Sequence, residues 1–482
     1  MSVAPVNLSQ LLEGAALRHR DRPCLSWEGG AATYLELAAA VAAQADALAG
    51  AGLAARRVGL MARNRPELVV LWLACMKAGT TAVFLNPQLT ETEVRGVVDD
   101  LALAAVVGDR DLDPGTSHLV LPETEGTAAV ALPGPAAEAA EAVEAATVVL
   151  TSGSTGRSKY VPVPHLAYAL KATLNVAALG WNASDRTDCV MPLFHVGAQC
   201  ETLAPALAVG AAVHLSASFS ASGLWTGLEQ RGTSHFHATG SLLAMALARG
   251  EPSGPSPLRR IVGSLRADLG EALGEVFPQA DLISVYGLTE CPLGTLSALG
   301  EPYRPGWVGY PYLGGSLRLQ EGEIQLRNGA CTAGYIGLPA GEGFTEDGWL
   351  RTGDLGEHAD GGLYLTGRTK EMIRRSGENI APAEVEEAAL RHPGVVEAAA
   401  LPYADPIRDE EVWLLVEAKG EGAPTPAELR EFVSARLAPF KRPRYIDILA
   451  DLPMTGSNKV DKPALRARQQ RPAWDAQSAA RR

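Results

Sequence analysis

The sequence predicts an α/β protein: a large part built on open, mostly parallel sheets, followed by a smaller α+β unit. Three observations predict it. Short apolar runs alternate with helical segments up to about residue 290. After "YPYLGG" (310–315) the pattern changes to short alternating strands with Gly and Asp turns. The C-terminal part then reads helix, strand, strand, helix.

Taken in order, "TYLELAAAVAAQADALAGAG" (33–52) opens with Thr33 and Glu36 at capping-box spacing and stops at Gly50, so it reads as a helix. "RVGLMA" (57–62), the helical "PELVVLWLACMKAG" (66–79) and "TAVFLN" (81–86) form a β-α-β unit. "SLRLQEGEIQLRN" and "WLRTGDLGEHADGGLYLTGR" read as short strands. "PAEVEEAALRHP" and "TPAELREFVSARL" read as helices, with strands "VVEAAALPY" and "EVWLLVEAK" between them. The boundary between the two parts falls in "GRTKE" (367–371), and "RARQQRPAWDAQSAARR" lacks periodicity and reads as a frayed tail.

Composition narrows the function. The 482 residues are 47% hydrophobic and 20% charged, which suits a folded chain with a sizeable core. A net charge of −13 argues against a broad nucleic-acid or anionic-membrane surface, which needs a positive field. The six cysteines are scattered with no C-x-x-C pair, so they read as reduced thiols and not as disulfides or a zinc site. The N-terminus has no basic start followed by an apolar core. The most apolar window, "ELVVLWLACMKAGTTAVFLN", is interrupted by Lys77 and a Gly-Thr-Thr break. The expectation is a soluble, cytoplasmic protein, monomer or homodimer.

The densest chemical signal is "TSGSTGRSK" (151–159), set between "ATVVL" and "YVPVPH". Glycine amides and Ser/Thr hydroxyls on such a loop can wrap a polyphosphate, and Lys159 adds positive charge at its far end. It is not a P-loop. The spacing is G-x-x-G-x-x-K, and "YVPVPH" is extended, so the loop joins two strands and does not start a helix. An ordinary turn would use the same residue types. Three further segments supply what nucleotide chemistry lacks. "SVYGLTEC" offers Thr289 and Glu290, a carboxylate suited to Mg²⁺ beside phosphates. "WLRTGDLG" offers Asp354, an acceptor for two ribose hydroxyls or a plain hairpin residue. "LPMTGSNKVDKPAL" places Lys459 in a turn, where a solvated lysine is the bland alternative.

Together and in this order, these segments resemble the adenylate-forming superfamily of acyl-CoA synthetases, peptide-synthetase adenylation domains and luciferases. Its phosphate loop is matched by "TSGSTGRSK", its Y-G-x-T-E by "YGLTE", its T-G-D by "RTGD" and its hinge by "GRTKE". "GENIAPAEVE", "NPQLTETEVRGVVDD" and the lysine-bearing "LPMTGSNK" also match, so the resemblance covers residues 10–470. Two positions depart from the pattern: Tyr160 and Asn458 stand where glycines are usual.

The resemblance implies a large N-terminal domain (1–367) of mostly parallel sheets with helices and a distorted β-barrel subdomain. It also implies a hinge (368–371), a small mobile α+β domain (372–466) and a disordered tail (467–482). It implies ATP, Mg²⁺ and CoA, with a carboxylate activated as acyl-AMP and then passed to the CoA thiol. Lys459 would bridge carboxylate and α-phosphate, and Glu290, beside Thr289, would carry Mg²⁺. Thr151, Ser152, Gly153, Ser154, Thr155, Gly156 and Lys159 would hold the phosphates. Gly263, Ser264, Leu265, Tyr286 and Gly287 would flank adenine, while Asp354 and Arg368 would take the ribose. Lys370 would be the hinge residue, and Gly377, Glu378 and Asn379 would line the acceptor tunnel, although Gly377 also reads as a turn glycine. His195, Val196, Gly197, Phe236, Thr239 and Gly240 would wall a pocket for a medium-sized, mostly apolar acid. His195 also reads as a core histidine. His235 and His237 alternate as metal ligands do, but no nearby cysteine or acid completes a site.

The rival acceptors are an amine, giving an amide synthetase, and a separate carrier-protein thiol. Luciferase-like oxygenation needs only a special substrate. A nucleotide-sensing relic would have lost Lys459 or Glu290, and this chain has both.

Overall fold

The computed structural model describes residues 6–123, 125–135, 145–152, 158–252, 256–265, 267–368, 372–375, 378–405, 408–420, 422–437, 439–456, 459–468 and 472–476. Gly153, Ser154, Thr155, Gly156, Lys370 and Gly377 lie outside these, as does Asn458.

The first sheet is six-stranded and parallel except at one edge. Its β-α-β start is the one expected: strands Arg57–Met61 and Thr81–Phe84 pair in parallel around helix Pro66–Ala78. That helix ends at Gly79, whose φ of 70° is the left-handed conformation that favours glycine. It is buried on every side from Pro66 to Met76, which explains its run of apolar residues: it is a core helix. Among the described residues no helix is long and apolar enough to cross a membrane. The antiparallel edge is the pair Thr147–Ser152 and Ser158–Val163, so the segment between them does join two strands, with Thr151 opposite Lys159.

The second sheet has thirteen strands. Its middle is parallel, with Ala212–Leu215, Arg186–Cys189, His235–His237, Arg260–Gly263 and Asp281–Leu288 side by side. Beyond Asp281–Leu288 every pairing is antiparallel, through Cys291–Leu296, Trp307–Pro311, Gly362–Arg368 and Leu350–Ala359. The change falls near residue 290, where the alternation of apolar runs and helices ends, ahead of the Gly- and Asp-rich hairpins that follow 310–315. Helix Tyr34–Gly50 carries the Thr33/Glu36 capping box and packs on helix Pro66–Ala78 within one continuous core that spans both sheets.

The third sheet, with helices Pro382–Leu390 and Pro426–Ser434, has its own core around Val385, Leu414, Val416, Leu429 and Ile446. It touches the large part through Arg391 and Glu271, 3.7 Å apart.

Two expectations need correction. The tail is ordered in part: Trp474–Asp475 pairs with strand Tyr445–Leu449, Trp474 packs on the small core, and the Ala473 amide donates to Asp447 at 2.7 Å. A two-residue strand leaves no periodicity to read. The cysteines are not all free: Cys291 and Cys331, 40 residues apart, are joined as a disulfide. Spacing could not reveal a pair that only the antiparallel part of the fold brings together. The other four are free and buried.

Candidate active site

Three neighbouring parallel strands end on one side of the second sheet. Strand His235–His237 leads to Thr239 and Gly240, Arg260–Gly263 to Ser264 and Leu265, and Asp281–Leu288 to Thr289 and Glu290. The carboxyl ends of such strands are where open α/β sheets bind ligands. Backbones approach closely here: a Cβ on Gly263 would overlap the Ala238 carbonyl, and one on Gly240 would lie 2.8 Å from the Ser264 carbonyl oxygen. Neither glycine can be exchanged for alanine without moving main chain.

Tyr286 is buried and donates its hydroxyl to Asp354 at 2.9 Å; the Arg368 Nε donates to the other carboxylate oxygen at 2.6 Å. Asp354 and Arg368 are directly opposed on paired strands, which fixes that contact. Burial, and then the Asp354 charge, push the Tyr286 phenol well above its ordinary pKa, so it stays a donor. A carboxylate has about four acceptor sites, so two such bonds leave room for a diol.

Glu290 meets strand Ser158–Val163 through a residue that sequence reasoning missed. Tyr335 donates its hydroxyl to Glu290 at 3.0 Å, and the Lys159 ammonium lies 4.3 Å from the centre of the same ring. The Glu290 carbonyl also accepts from the Thr332 amide at 2.7 Å, and Ile336 donates to the Tyr160 carbonyl at 3.0 Å. Segment 328–336 is thus a brace between the Glu290 turn and strand Ser158–Val163. Tyr160 is not idle at its unusual position: its hydroxyl donates to Asp100 at 2.7 Å. No sequence signal marks Tyr335, which lies 45 residues from Glu290.

Lys459 sits in a tight turn closed by the Met454–Val460 bridge and by the Thr455 amide donating to the Lys459 carbonyl at 2.7 Å. That turn reaches across to the large part. A Cβ on Gly456 would lie 2.9 Å from the Asn86 amide nitrogen, and His195 hydrogen-bonds to the Gly456 backbone. His195 has its pKa lowered to about 4, first by burial and then by the positive charge of Lys459. The charge of Lys459 is therefore felt at His195, although 264 positions separate them (459 minus 195).

Behind His195 lies the proposed acyl wall. Gly197 leaves room for the His237 ring, 3.3 Å from where a Cβ would stand, and Phe236 is buried in the core. His195 Nε2, His237 Nδ1 and Thr239 Oγ1 are buried with no hydrogen-bond partner. Each such atom costs about 1–3 kcal/mol unless something satisfies it. Deeper still, fully buried Lys171 pairs with Glu201 at 2.7 Å, which a π-helical turn, Ala198–Leu203, delivers. Lys171 also donates to the Tyr312 hydroxyl at 2.8 Å and the Pro292 carbonyl at 3.1 Å, and Asn175 donates to Glu201 at 2.8 Å. His235 lies elsewhere, stacked on Trp181 at 4.0 Å and beside Asp185. Among the described residues no group of three His, Cys, Asp or Glu could hold a metal ion.

Strand Glu378–Ile380, which contains Glu378 and Asn379, pairs with Ile373–Arg375 at the edge of the third sheet.

The buried histidines carry a testable consequence. His195, His214 and His237 have pKa values lowered from 6.5 to about 4, chiefly by burial. The unfolded chain takes up these protons first, so stability falls as pH drops from 6.5 toward 4. The melting temperature, followed by differential scanning fluorimetry, is expected to decline across that window. A flat profile from neutral pH down to about 5 would contradict the assignment.

Comparison with known proteins shows the family. The family model described as "AMP-binding enzyme" matches residues 12–335, and "AMP-binding enzyme C-terminal domain" matches 384–459. The chain is 32% identical to oxalate–CoA ligase of Arabidopsis thaliana, over 94% of this chain and 97% of that one. It is 30% identical to sulfoacetate–CoA ligase of Cupriavidus necator, over 94% and 96%. The structure superposes on O-succinylbenzoate coenzyme A synthetase of Bacillus subtilis, solved with ATP and magnesium ion, with a TM-score of 0.81, 26% identity and coverage of 95% and 99%. This chain belongs to the AMP-binding, adenylate-forming enzyme family.

Proposed function

We propose that this chain is an ATP-dependent carboxylic acid–CoA ligase. It activates an acid as acyl-AMP with release of pyrophosphate, then passes the acyl group to the CoA thiol. The observation that carries the reading is the contact of the Lys459 turn with the large part: a Cβ on Gly456 would lie 2.9 Å from the Asn86 amide nitrogen, and the Lys459 charge is felt at His195. Such a contact brings a cation to the end of the pocket where a carboxylate and the α-phosphate, both anions, must approach each other.

In this reading Lys459 bridges those two anions, and Lys159, with the loop from Thr151 to Gly156, neutralises the β- and γ-phosphates. Asp354 accepts from the ribose hydroxyls, held in place by Tyr286 and Arg368. Glu290, with one oxygen already bonded by Tyr335, fits the one or two carboxylates by which Mg²⁺ is held beside phosphates. When bound, Mg²⁺ supplies charge neutralisation on the departing pyrophosphate. His195 stays neutral at assay pH and so does not repel Lys459. Residues 368–371 act as the hinge on which residues 372–466 turn, withdrawing Lys459 and bringing Gly377, Glu378 and Asn379 to the acceptor path.

The acid is medium-sized and mostly apolar, with a hydrogen-bonding group that reaches His237 Nδ1 and Thr239 Oγ1. Support comes from those two partnerless buried atoms. The relatives named for oxalate and sulfoacetate likewise act on acids with a second polar end.

Incubating the protein with ATP, Mg²⁺ and a panel of such acids, with either CoA or simple amines, tests the acceptor. A thioester that requires CoA supports the proposal, whereas an amide formed without CoA replaces it with an amide synthetase. Gly377→Leu is expected to spare acid-dependent pyrophosphate release and to obstruct transfer to CoA. Normal transfer would remove Gly377 from the acceptor path.

A further inference from the structure

The Cys291–Cys331 disulfide is placed where it can affect chemistry. Cys291 directly follows Glu290 and is fully buried; Cys331 directly precedes Thr332, whose amide donates to the Glu290 carbonyl at 2.7 Å. Four residues on from Cys331, Tyr335 holds the Glu290 carboxylate at 3.0 Å and underlies the Lys159 ammonium at 4.3 Å. The bond therefore cross-links the two backbone segments that set the distance from Glu290 to the phosphate-loop strands. Without it, that distance depends on three hydrogen bonds: Thr332 to the Glu290 carbonyl, Tyr335 to the Glu290 carboxylate, and the Asn328 side-chain amide to the Leu293 carbonyl at 2.9 Å.

The two sulfurs differ in access. Cys331 lines a cavity of about 310 Å³, together with Asn328, Thr332, Phe344 and Thr345, while Cys291 lies wholly inside. A small thiolate entering the cavity meets the Cys331 sulfur first, and Cys291 is the sulfur that leaves. The other cysteines, Cys24, Cys75, Cys189 and Cys200, are buried, and burial pushes each thiol up to about 12 or beyond, so they are poor competitors in exchange.

We propose that Cys291–Cys331 is a reversible thiol–disulfide modification site, exchanged through Cys331 by low-molecular-weight thiols, that sets how firmly Glu290 is positioned for Mg-ATP. This rests on the reading of Glu290 given above. The exchange balances. One thiolate attacks Cys331 Sγ, the S–S bond breaks, and Cys291 departs as a thiolate that takes up a proton. A second small thiol attacks the mixed disulfide on Cys331, freeing it as a thiol and releasing the oxidised small-molecule dimer. Two small thiols are oxidised and one protein disulfide is reduced. In a reducing compartment, such a bond is of the transient, responsive kind and not a structural staple.

The test uses the intact chain, equilibrated with either oxidised or reduced glutathione. Alkylation in denaturant, before and after added reductant, followed by peptide mass spectrometry reads the cysteines. Mg-ATP affinity is measured on the same samples by calorimetry. After oxidised glutathione, Cys291 and Cys331 are expected to label only once reductant is added, and the other four without it. The reduced protein is expected to bind Mg-ATP about 2–10-fold more weakly, the effect of losing roughly one hydrogen bond's worth of positioning. The Cys291→Ser, Cys331→Ser double variant is expected to match the reduced form and ignore glutathione; if it does not fold, the comparison on the unmodified chain decides alone.

Full labelling of both cysteines after oxidised glutathione overturns the site. Equal affinity in both states overturns its effect on Glu290. Glu290→Gln separates the two failures: if that change leaves Mg-ATP affinity untouched, the role given to Glu290 is what fails, and the labelling result stands by itself.

Discussion

Replacing Lys459 with alanine is expected to slow acyl-adenylate formation by on the order of 10²–10³ or more, the cost of losing a preorganised charge where charge meets charge. Transfer to CoA from a supplied acyl-adenylate should barely change, because in the proposed cycle the hinge motion has by then withdrawn the lysine. The loss in the first half-reaction follows from the contacts of its turn. Gly456 lies against Asn86, and among the described residues Lys459 is the cation whose charge lowers the His195 pKa. Single-turnover assays of each half-reaction check this. Equal losses in both halves would mean that Lys459 serves the whole cycle and that the two-state assignment is wrong.

Breaking the buried Lys171–Glu201 pair is expected to destabilise the large part by about 3–5 kcal/mol, because the surviving charge is left inside. Lys171→Met strands the Glu201 carboxylate with Asn175 as its remaining donor; Glu201→Gln strands the ammonium on Tyr312 and the Pro292 carbonyl. The double variant should lose clearly less than the sum, since neither charge remains. Urea denaturation of the four proteins checks the cycle. The change should also be felt at the acyl wall, because His237 senses both charges: Glu201 favours its protonation and Lys171 opposes it. Single variants that cost less than about 1 kcal/mol would show that water reaches the pair.

Much of this was readable from residues. The Thr33/Glu36 box, the apolar helix at 66–78 and the extended "YVPVPH" gave correct elements because each signal is local. Glu290 and Asp354 stand out in short motifs and the resemblance adds Gly263 and Tyr286; the structure joins Tyr286 to Asp354 by a hydrogen bond. What stayed hidden depends on tertiary proximity. Tyr335 matters only because a hairpin carries it to Glu290 and Lys159, and Cys331 only because its neighbour bonds to the Glu290 carbonyl. Lys171 carries no sequence signal; its role depends on Glu201 and Tyr312 closing around it. Trp474 was passed over as tail because its strand is two residues long.

The central claim is that activation precedes and does not need the acceptor thiol. Isotope exchange between pyrophosphate and ATP, measured with Mg²⁺ and a competent acid but without CoA, tests it most directly. The account predicts acid-dependent exchange under those conditions, nearly abolished in Lys459→Ala. Exchange that appears only when CoA is added, or turnover that releases ADP and phosphate in place of AMP and pyrophosphate, would contradict it.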